Sequence, residues 1–360
     1  MADSFLEYPI MKKLTLSALV LPLVLLAPQG AHAGPLGTAG DYSVFVFGNI
    51  EQWGTDSEGR VAAGGNAIFG RPDIVDGNGN ITQANGFSIG SKITDPALNL
   101  VTGGNVTLTN GSVGYLEPGN TGSAISQKGN IVYGGTATVL APVGYGTLQL
   151  GTPIDFAAER NFLTGLSGSL NSLASNGTTS ILKDAGNAAY QINLTGTDAY
   201  RNTFSLLASD ITQNLAFKFY APQTSTIIVN IAGANASLMN LGFYFNDIAG
   251  ESVDAAGQPL HPAAYPFSNI LFNFSDATGL AIDNIGINGS ILAPQAHVDL
   301  GQHSHVDGNL IAASLFGQGE THNVAFTGNI SAIPEPDTAP LLLAGGLVVL
   351  LAKRRKATRA

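Results

Sequence analysis

The sequence has 360 residues, of which 44% are hydrophobic and only 11% charged, with 45 glycines and no cysteine. Without cysteine, disulfides, thiol catalysis and cysteine metal sites are excluded. The formal net charge is −10, and residues 34–338 hold 23 acidic against 8 basic side chains, a net of −15. That leaves too few cations for a phosphate-binding surface and excludes nucleic acid as a partner.

The chain opens with a segment that reads as an export signal. Lys12 and Lys13 precede an apolar run from Leu14 to Ala27, and Ala31-His32-Ala33 is a small-residue cleavage site. Signal peptidase is expected to cut after Ala33. Asp3 and Glu7 fit a signal peptide poorly, so Met11 is the expected start.

From residue 34 onward, short Val-, Ile- and Phe-rich runs are punctuated by Gly, Asn, Asp or Pro, as expected of strands and tight turns. Residues 41–50 read as a strand apolar on both faces, hence buried on both sides. Similar runs are Asn105–Thr109, Thr136–Leu140, Thr203–Ala208, Ser225–Ala232, Leu241–Phe245, Asn269–Phe274, Gly289–Leu292, His297–Leu300, His305–Ala312 and His322–Phe326. A triplet Gly-Asn-apolar recurs at residues 48–50, 65–67, 79–81, 104–106, 129–131, 308–310 and 328–330. Gly and Asn tolerate a left-handed backbone, so each triplet reads as a corner feeding a strand. The irregular spacing is of the order of one solenoid coil. The expected fold is mainly β: a right-handed β-solenoid-like body with one long amphipathic helix packed alongside, the alternative being a β-sandwich.

That helix is expected within Pro153–Ser175, where Phe156, Leu163, Leu166, Leu170 and Leu173 share one face. Asp155 or Thr152 can cap its start, and Asn176-Gly177 ends it.

At the other end, Pro334-Glu335-Pro336 precedes an apolar stretch from Ala339 to Ala352, and Lys353, Arg354, Arg355 and Lys356 follow. Fourteen apolar residues are short for a permanent bilayer span, and the basic cluster is expected to stay cytoplasmic. Motif, short span and basic cluster together resemble the PEP-CTERM sorting signal. That resemblance implies cleavage by an exosortase near Pro334, Glu335 and Pro336 after transient inner-membrane anchoring.

The body carries a second resemblance. Residues 45–48 with 58–66, residues 288–296, and residues 306–315 with 320–323 are similar to the choice-of-anchor A domain of bacterial surface proteins. This implies an adhesive β-solenoid outside the cell, with no catalytic residues and no cofactor. The implied organisation is a signal peptide over 1–33, an adhesive domain over 34–331 and a sorting tail over 332–360.

Several residues carry candidate chemistry. His297, Asp299, His303 and His305, with Asp307 close behind, alternate so that imidazoles and carboxylates share faces and could surround Zn²⁺. The simpler reading is the polar outer side of two coils. Arg60 is expected to pair with Glu58 or Asp56. Asp73, Asp76, Asn78 and Asn80 resemble a Ca²⁺ loop loosely, but the spacing is not that of an EF-hand and favours a solvated turn. Ser88 stands in a Gly-x-Ser-x-Gly string, yet no helical pattern follows it, so a turn or strand is expected rather than a nucleophile elbow.

Three functions compete. The leading one is a non-enzymatic surface or matrix protein that associates with exopolysaccharide or other cell-surface glycans. The others are an ice-binding-type solenoid, against which the lack of a fixed Thr register counts, and a polysaccharide-degrading β-helix.

Overall fold

Short strands stack in parallel and in register, as the punctuated sequence requires. The structure, a computed structural model, describes residues 34–117, 125–140, 143–250 and 266–330. The expected signal peptide, the Pro334-Glu335-Pro336 motif, the apolar tail and the basic cluster lie outside these residues. Among the described residues, no helix is long and apolar enough to cross a membrane.

Three rows of strands form the body. The first row runs in the order Leu148–Leu150, Ile131–Tyr133, Leu100–Thr102, Val61–Ala63, Val44–Val46, then the first part of Leu310–Gly317, the first part of Ser290–Leu300, Ile270–Asn273, Thr226–Ala232 and Arg201–Leu207. The second row holds Ala137–Val139, Val106–Leu108, Ala67–Phe69, Ile50–Gln52, the later parts of Leu310–Gly317 and Ser290–Leu300, Gly279–Asp283 and Asn235–Met239. The third runs from Gly111–Tyr115 through Phe87–Ile89, Thr55–Ser57, Glu320–Thr321 and His305–Val306 to Gly286–Ile287. Alternate residues of all three rows point into one apolar core. The architecture is the expected mainly β, solenoid-like body. The sandwich alternative fails because these rows pair in parallel, whereas a sandwich is built from antiparallel sheets.

The stack does not follow chain order. Val44–Val46 pairs with Val61–Ala63 on one side and with residues 310–312 on the other. The first coil of the chain thus lies against the last.

The Gly-Asn corners explain the register. The triplets at 48–50, 65–67, 104–106, 129–131 and 308–310 each deliver the chain into a strand. Asn49 Oδ1 accepts from Asn66 N–H at 2.8 Å, Asn66 Oδ1 from Asn105 N–H at 2.9 Å, and Asn105 Oδ1 from Thr136 N–H at 2.8 Å. At another corner Asn99 accepts from Asn130 N–H, and Asn130 from Thr147 N–H. Two ladders interleaved in one sequence make the spacing irregular. Glycine is needed here for close approach rather than for a left-handed backbone. A Cβ at Gly104 would sit 2.5 Å from Asn66 Oδ1. Only the triplet at 79–81 has a left-handed glycine, and it belongs to a hairpin rather than a corner.

Several expected strands shift. Residues 41–50 split at the corner into Val44–Val46 and Ile50–Gln52, with the first buried on both sides as expected. The two expected strands Gly289–Leu292 and His297–Leu300 merge into Ser290–Leu300, with a register shift between Ala293 and His297. The expected strand His322–Phe326 is not one. Pairing ends at Glu320–Thr321, and Phe326 instead packs on the first row, where Asn309 Oδ1 accepts from its N–H.

The helix spans Phe156–Asn171, and Asp155 caps it by accepting from Ala158 N–H at 2.9 Å. Leu163 and Leu170 press on the outer side of the first row, over Phe45, Ala62, Val101, Leu271, Leu292 and Ile311. A buried amide bracket holds it there. Asn230 and Asn273 are register partners; Asn273 Nδ2 donates to Ser167 C=O and to Asn230 Oδ1, and Asn230 Nδ2 donates to Leu170 C=O.

The region between the helix and residue 250 adds a mixed five-stranded sheet, Thr178–Lys183, Ala189–Thr195, Ala216–Tyr220, Gly242–Phe245 and Ile248–Ala249. Phe217 stacks on Phe243 and Phe219 on Phe245, at 5.5 and 5.0 Å between centroids.

Candidate functional site

The helix covers the first row, so the second and third rows carry the chemistry presented outward. On the second row Thr107, Ile68, Glu51, Phe316 and Asp299 are successive register partners. Neighbouring strands lie about 4.8 Å apart, so these five side chains form one column. A groove of about 530 Å³ opens beside it, lined by Asn49, Glu51, Asn66, Ile68, His297, Ser314 and Phe316. That lies within the usual range of about 300–1,000 Å³ for a ligand pocket.

The groove has an aromatic wall and polar rims. Phe316, 40% exposed, sets its edge against Trp53 with ring centroids 5.1 Å apart. The Arg71 guanidinium lies 3.3 Å from the Trp53 ring centre and pairs with Glu51 at 2.5 Å. His297 Nδ1 meets Ser314 Oγ at 2.7 Å, and its Nε2 meets Asp299 at 3.3 Å. The side-chain oxygens of Asn49 and Asn66 are taken by backbone N–H groups, so their NH₂ ends remain as donors at the rim.

The third row carries a denser cluster. His322 Nδ1 lies 2.5 Å from Asp307 Oδ1, and its Nε2 lies 3.3 Å from Glu320. His305 Nε2 is 3.5 Å from Asp307 Oδ2, to which Asn288 also donates at 2.8 Å. The His305 and His322 rings stack at 4.8 Å. Burial alone would raise the Asp307 pKa, but its bonds to His305 and His322 outweigh that and hold the carboxyl well below the usual range. Burial would lower His322, yet Asp307 and Glu320 push it up to about 10. Asp56 rises to about 6, through burial first and then the nearby Glu320 charge.

The candidate metal cluster read from sequence is therefore divided. His297 and Asp299 stand on the second row, His303 is exposed in a turn at φ 63°, and His305 faces the third row. The partners that His305 gains, His322 and Glu320, lie one coil further along the chain. The signal for them is the register His305↔Glu320, which a sequence spacing of 15 residues does not announce. The sequence gives no local sign of the aromatic groove either, because Phe316 reaches Glu51 and Trp53 only through the pairing of the first and last coils. Arg60 pairs with Asp95 and donates to Ala97 C=O, rather than pairing with Glu58 or Asp56, since the next coil brings residue 95 beneath it. Asp76 accepts from the N–H groups of Asn78 and Asn80, the expected solvated turn. Ser88 lies in the strand Phe87–Ile89, its hydroxyl 3.0 Å from that of Ser112.

A parallel solenoid with a helix bracing its first row, and its second and third rows facing outward, defines a helix-braced β-solenoid with a broad outward surface. A sequence model described as "Putative Ice-binding-like adhesive domain" matches residues 35–323, and the chain belongs to that family. This membership favours the ice-binding-type reading of the sequence over that of an exosortase-sorted adhesin. No curated protein matches the sequence. Solved structures with some likeness include an ice-binding protein of the Antarctic ascomycete Antarctomyces psychrotrophicus, at 9% identity and a TM-score of 0.31, covering 82% of this chain and 98% of that one. Others are a glycosylated ice-binding protein from an Arctic yeast, at 12%, 0.29, 84% and 96%, and an ice-binding protein domain of Shewanella frigidimarina, at 11%, 0.28, 82% and 98%.

Proposed function

We propose that the protein is an exported, non-enzymatic adhesive domain that holds a neutral, hydroxyl-rich polysaccharide in the second-row groove. The observation that carries this is the juxtaposition of Phe316 and Ile68 with Glu51, Asp299, His297 and the Asn49 and Asn66 amides. A sugar ring offers an apolar C–H face, which an aromatic side chain covers, and a rim of hydroxyls, which carboxylates and amides bind. The net charge of −15 over residues 34–338 disfavours acidic polymers.

The termini supply the export context. Signal peptidase acts at Ala31–Ala33, and the tail resembling PEP-CTERM is cut by an exosortase near Pro334-Glu335-Pro336. Until then Lys353, Arg354, Arg355 and Lys356 retain the chain at the inner membrane. The body between them, residues 34–331, is the choice-of-anchor A type adhesive domain, displayed at the cell surface or in the matrix.

Ice is the second reading, favoured by the family description and by the in-register pairing of the second row. Against it, the column contains the acidic Glu51 and Asp299 and the bulky Ile68 and Phe316 rather than a repeated threonine. Affinity electrophoresis in gels containing dextran or alginate, alongside thermal hysteresis, separates the two. Retardation by dextran alone, lost in Phe316→Ala, is expected. Thermal hysteresis without retardation would replace this reading with ice binding, and release of reducing ends would make the protein an enzyme.

A further inference from the structure

We propose a divalent-cation site on the third row, formed by Glu58, Glu320 and Nε2 of His322, for a first-row transition ion such as Zn²⁺. The ligand atoms that these residues offer all lie within 4.8 Å of one another. His322 Nε2 and Glu320 Oε1 are 3.3 Å apart. Two donors on a tetrahedral ion, at bond lengths of about 2.0–2.1 Å, stand roughly 3.3–3.4 Å from each other. This pair is spaced to grip such an ion with little movement.

The imidazole is also held as a metal-bound histidine is held. Its Nδ1 is committed to Asp307 at 2.5 Å, which turns Nε2 towards the carboxylate side. Asp307 is buried and fixed by the Asn288 amide. A carboxylate behind a ligating histidine sets its tautomer and orientation and raises its basicity. Glu58 is positioned by Asn323 N–H, which donates to its Oε2 at 3.1 Å. His305 and His322 do not make a ligand pair. Their rings stack nearly parallel, 23° apart, so their in-plane lone pairs run side by side instead of converging.

The donor set selects the ion. One imidazole with two carboxylates suits Zn²⁺ and its neighbours, whereas Ca²⁺ takes six to eight oxygens. Glu320 and His322 are 38% and 26% exposed, so an ion can enter from solvent. The site also has a structural consequence. Glu58 follows Thr55–Ser57 of the first coil, and Glu320 begins the strand of the last. The two strands share one register pair, Ser57↔Thr321, with Glu58 N–H donating to Thr321 C=O. A bound ion would tie the two coils at that narrow contact.

The test is calorimetric titration of ZnCl₂ and CaCl₂ into metal-stripped protein purified without a histidine tag, with thermal melts in parallel. A single Zn²⁺ per chain and a higher melting temperature are expected. Glu58→Gln and His322→Gln should each abolish binding, and Asp307→Asn should weaken it about 10–100-fold at unchanged stoichiometry. His297→Gln should bind as the parent does. Glu58 is half-exposed, so its variant carries the test if those at His322 or Asp307 fail to fold. No Zn²⁺ uptake, parental affinity in Glu58→Gln, or tighter binding of Ca²⁺ than of Zn²⁺ would each overturn the assignment.

Discussion

Replacing Asn273 with alanine should loosen the helix from the first row and cost about 3 kcal/mol. The side chain is fully buried. It accepts from Ser167 Oγ at 2.5 Å and donates to Ser167 C=O at 2.9 Å and to Asn230 Oδ1 at 2.8 Å. The Ser167 carbonyl stays within the helix, but Ser167 Oγ and Asn230 Oδ1 lose a partner in a dry interior. Each stranded polar atom costs about 1–3 kcal/mol, so two give roughly 2–6 kcal/mol before relaxation, which draws the loss towards the lower half of that range. Ser167→Ala takes away the donor to Asn273 Oδ1 and should cost about 1–3 kcal/mol. Because the two changes share that bond, the double variant should fall short of their sum by about 1 kcal/mol. Urea unfolding followed by far-UV circular dichroism, with the slope checked for constancy, reads all three values. A loss below about 1 kcal/mol for Asn273→Ala, or strict additivity, would refute the bracket.

In chelator, stability should decline as pH rises from about 6.5 towards 10, because folded His322 keeps a proton that the unfolded chain releases near 6.5. That contribution is complete below 6.5, so His322→Gln should flatten the alkaline limb of a plot of melting temperature against pH. Asp56, raised to about 6, acts in the same direction, with stability lost as pH climbs from about 4 through 6; Asp56→Asn should be the more stable protein at pH 7. Gly104→Ala would place its Cβ 2.5 Å from Asn66 Oδ1 and 2.8 Å from Gly65 O, and should lower stability by about 1–3 kcal/mol in urea unfolding. Gly165→Ala, in an exposed helix position with nothing within 4 Å, should instead gain about 0.5–1 kcal/mol.

Local signals in the sequence suffice where one segment decides the structure. The helix face from Phe156 to Leu170, its Asp155 cap and the burial of Val44–Val46 on both sides each follow from residues that are close in the chain. The Gly-Asn triplets marked corners for the right reason in outline and the wrong one in detail. At Gly65, Gly104 and Gly129 the glycine makes room for the asparagine of the neighbouring coil, and at Gly48 and Gly308 for its backbone, rather than reaching a left-handed conformation. What stayed hidden was decided by pairing between distant segments. Phe316 meets Glu51 and Trp53, and His322 meets Glu58, only once residues 310–321 lie against 44–57, while His322 meets Asp307 through the pairing of 320–321 with 305–306. Periodicity within a window carries no record of which coil will be its neighbour.

The seam between residues 44–46 and 310–312 bears on how the domain reaches its final form. The opening coil exposes an unpaired strand edge until a segment more than 260 residues later has emerged. Closing so large a loop is slow, and an open parallel edge invites pairing with a second chain. Folding should therefore finish only after the whole body has emerged. A product truncated before residue 310 would carry the two halves of the stack with their facing edges bare.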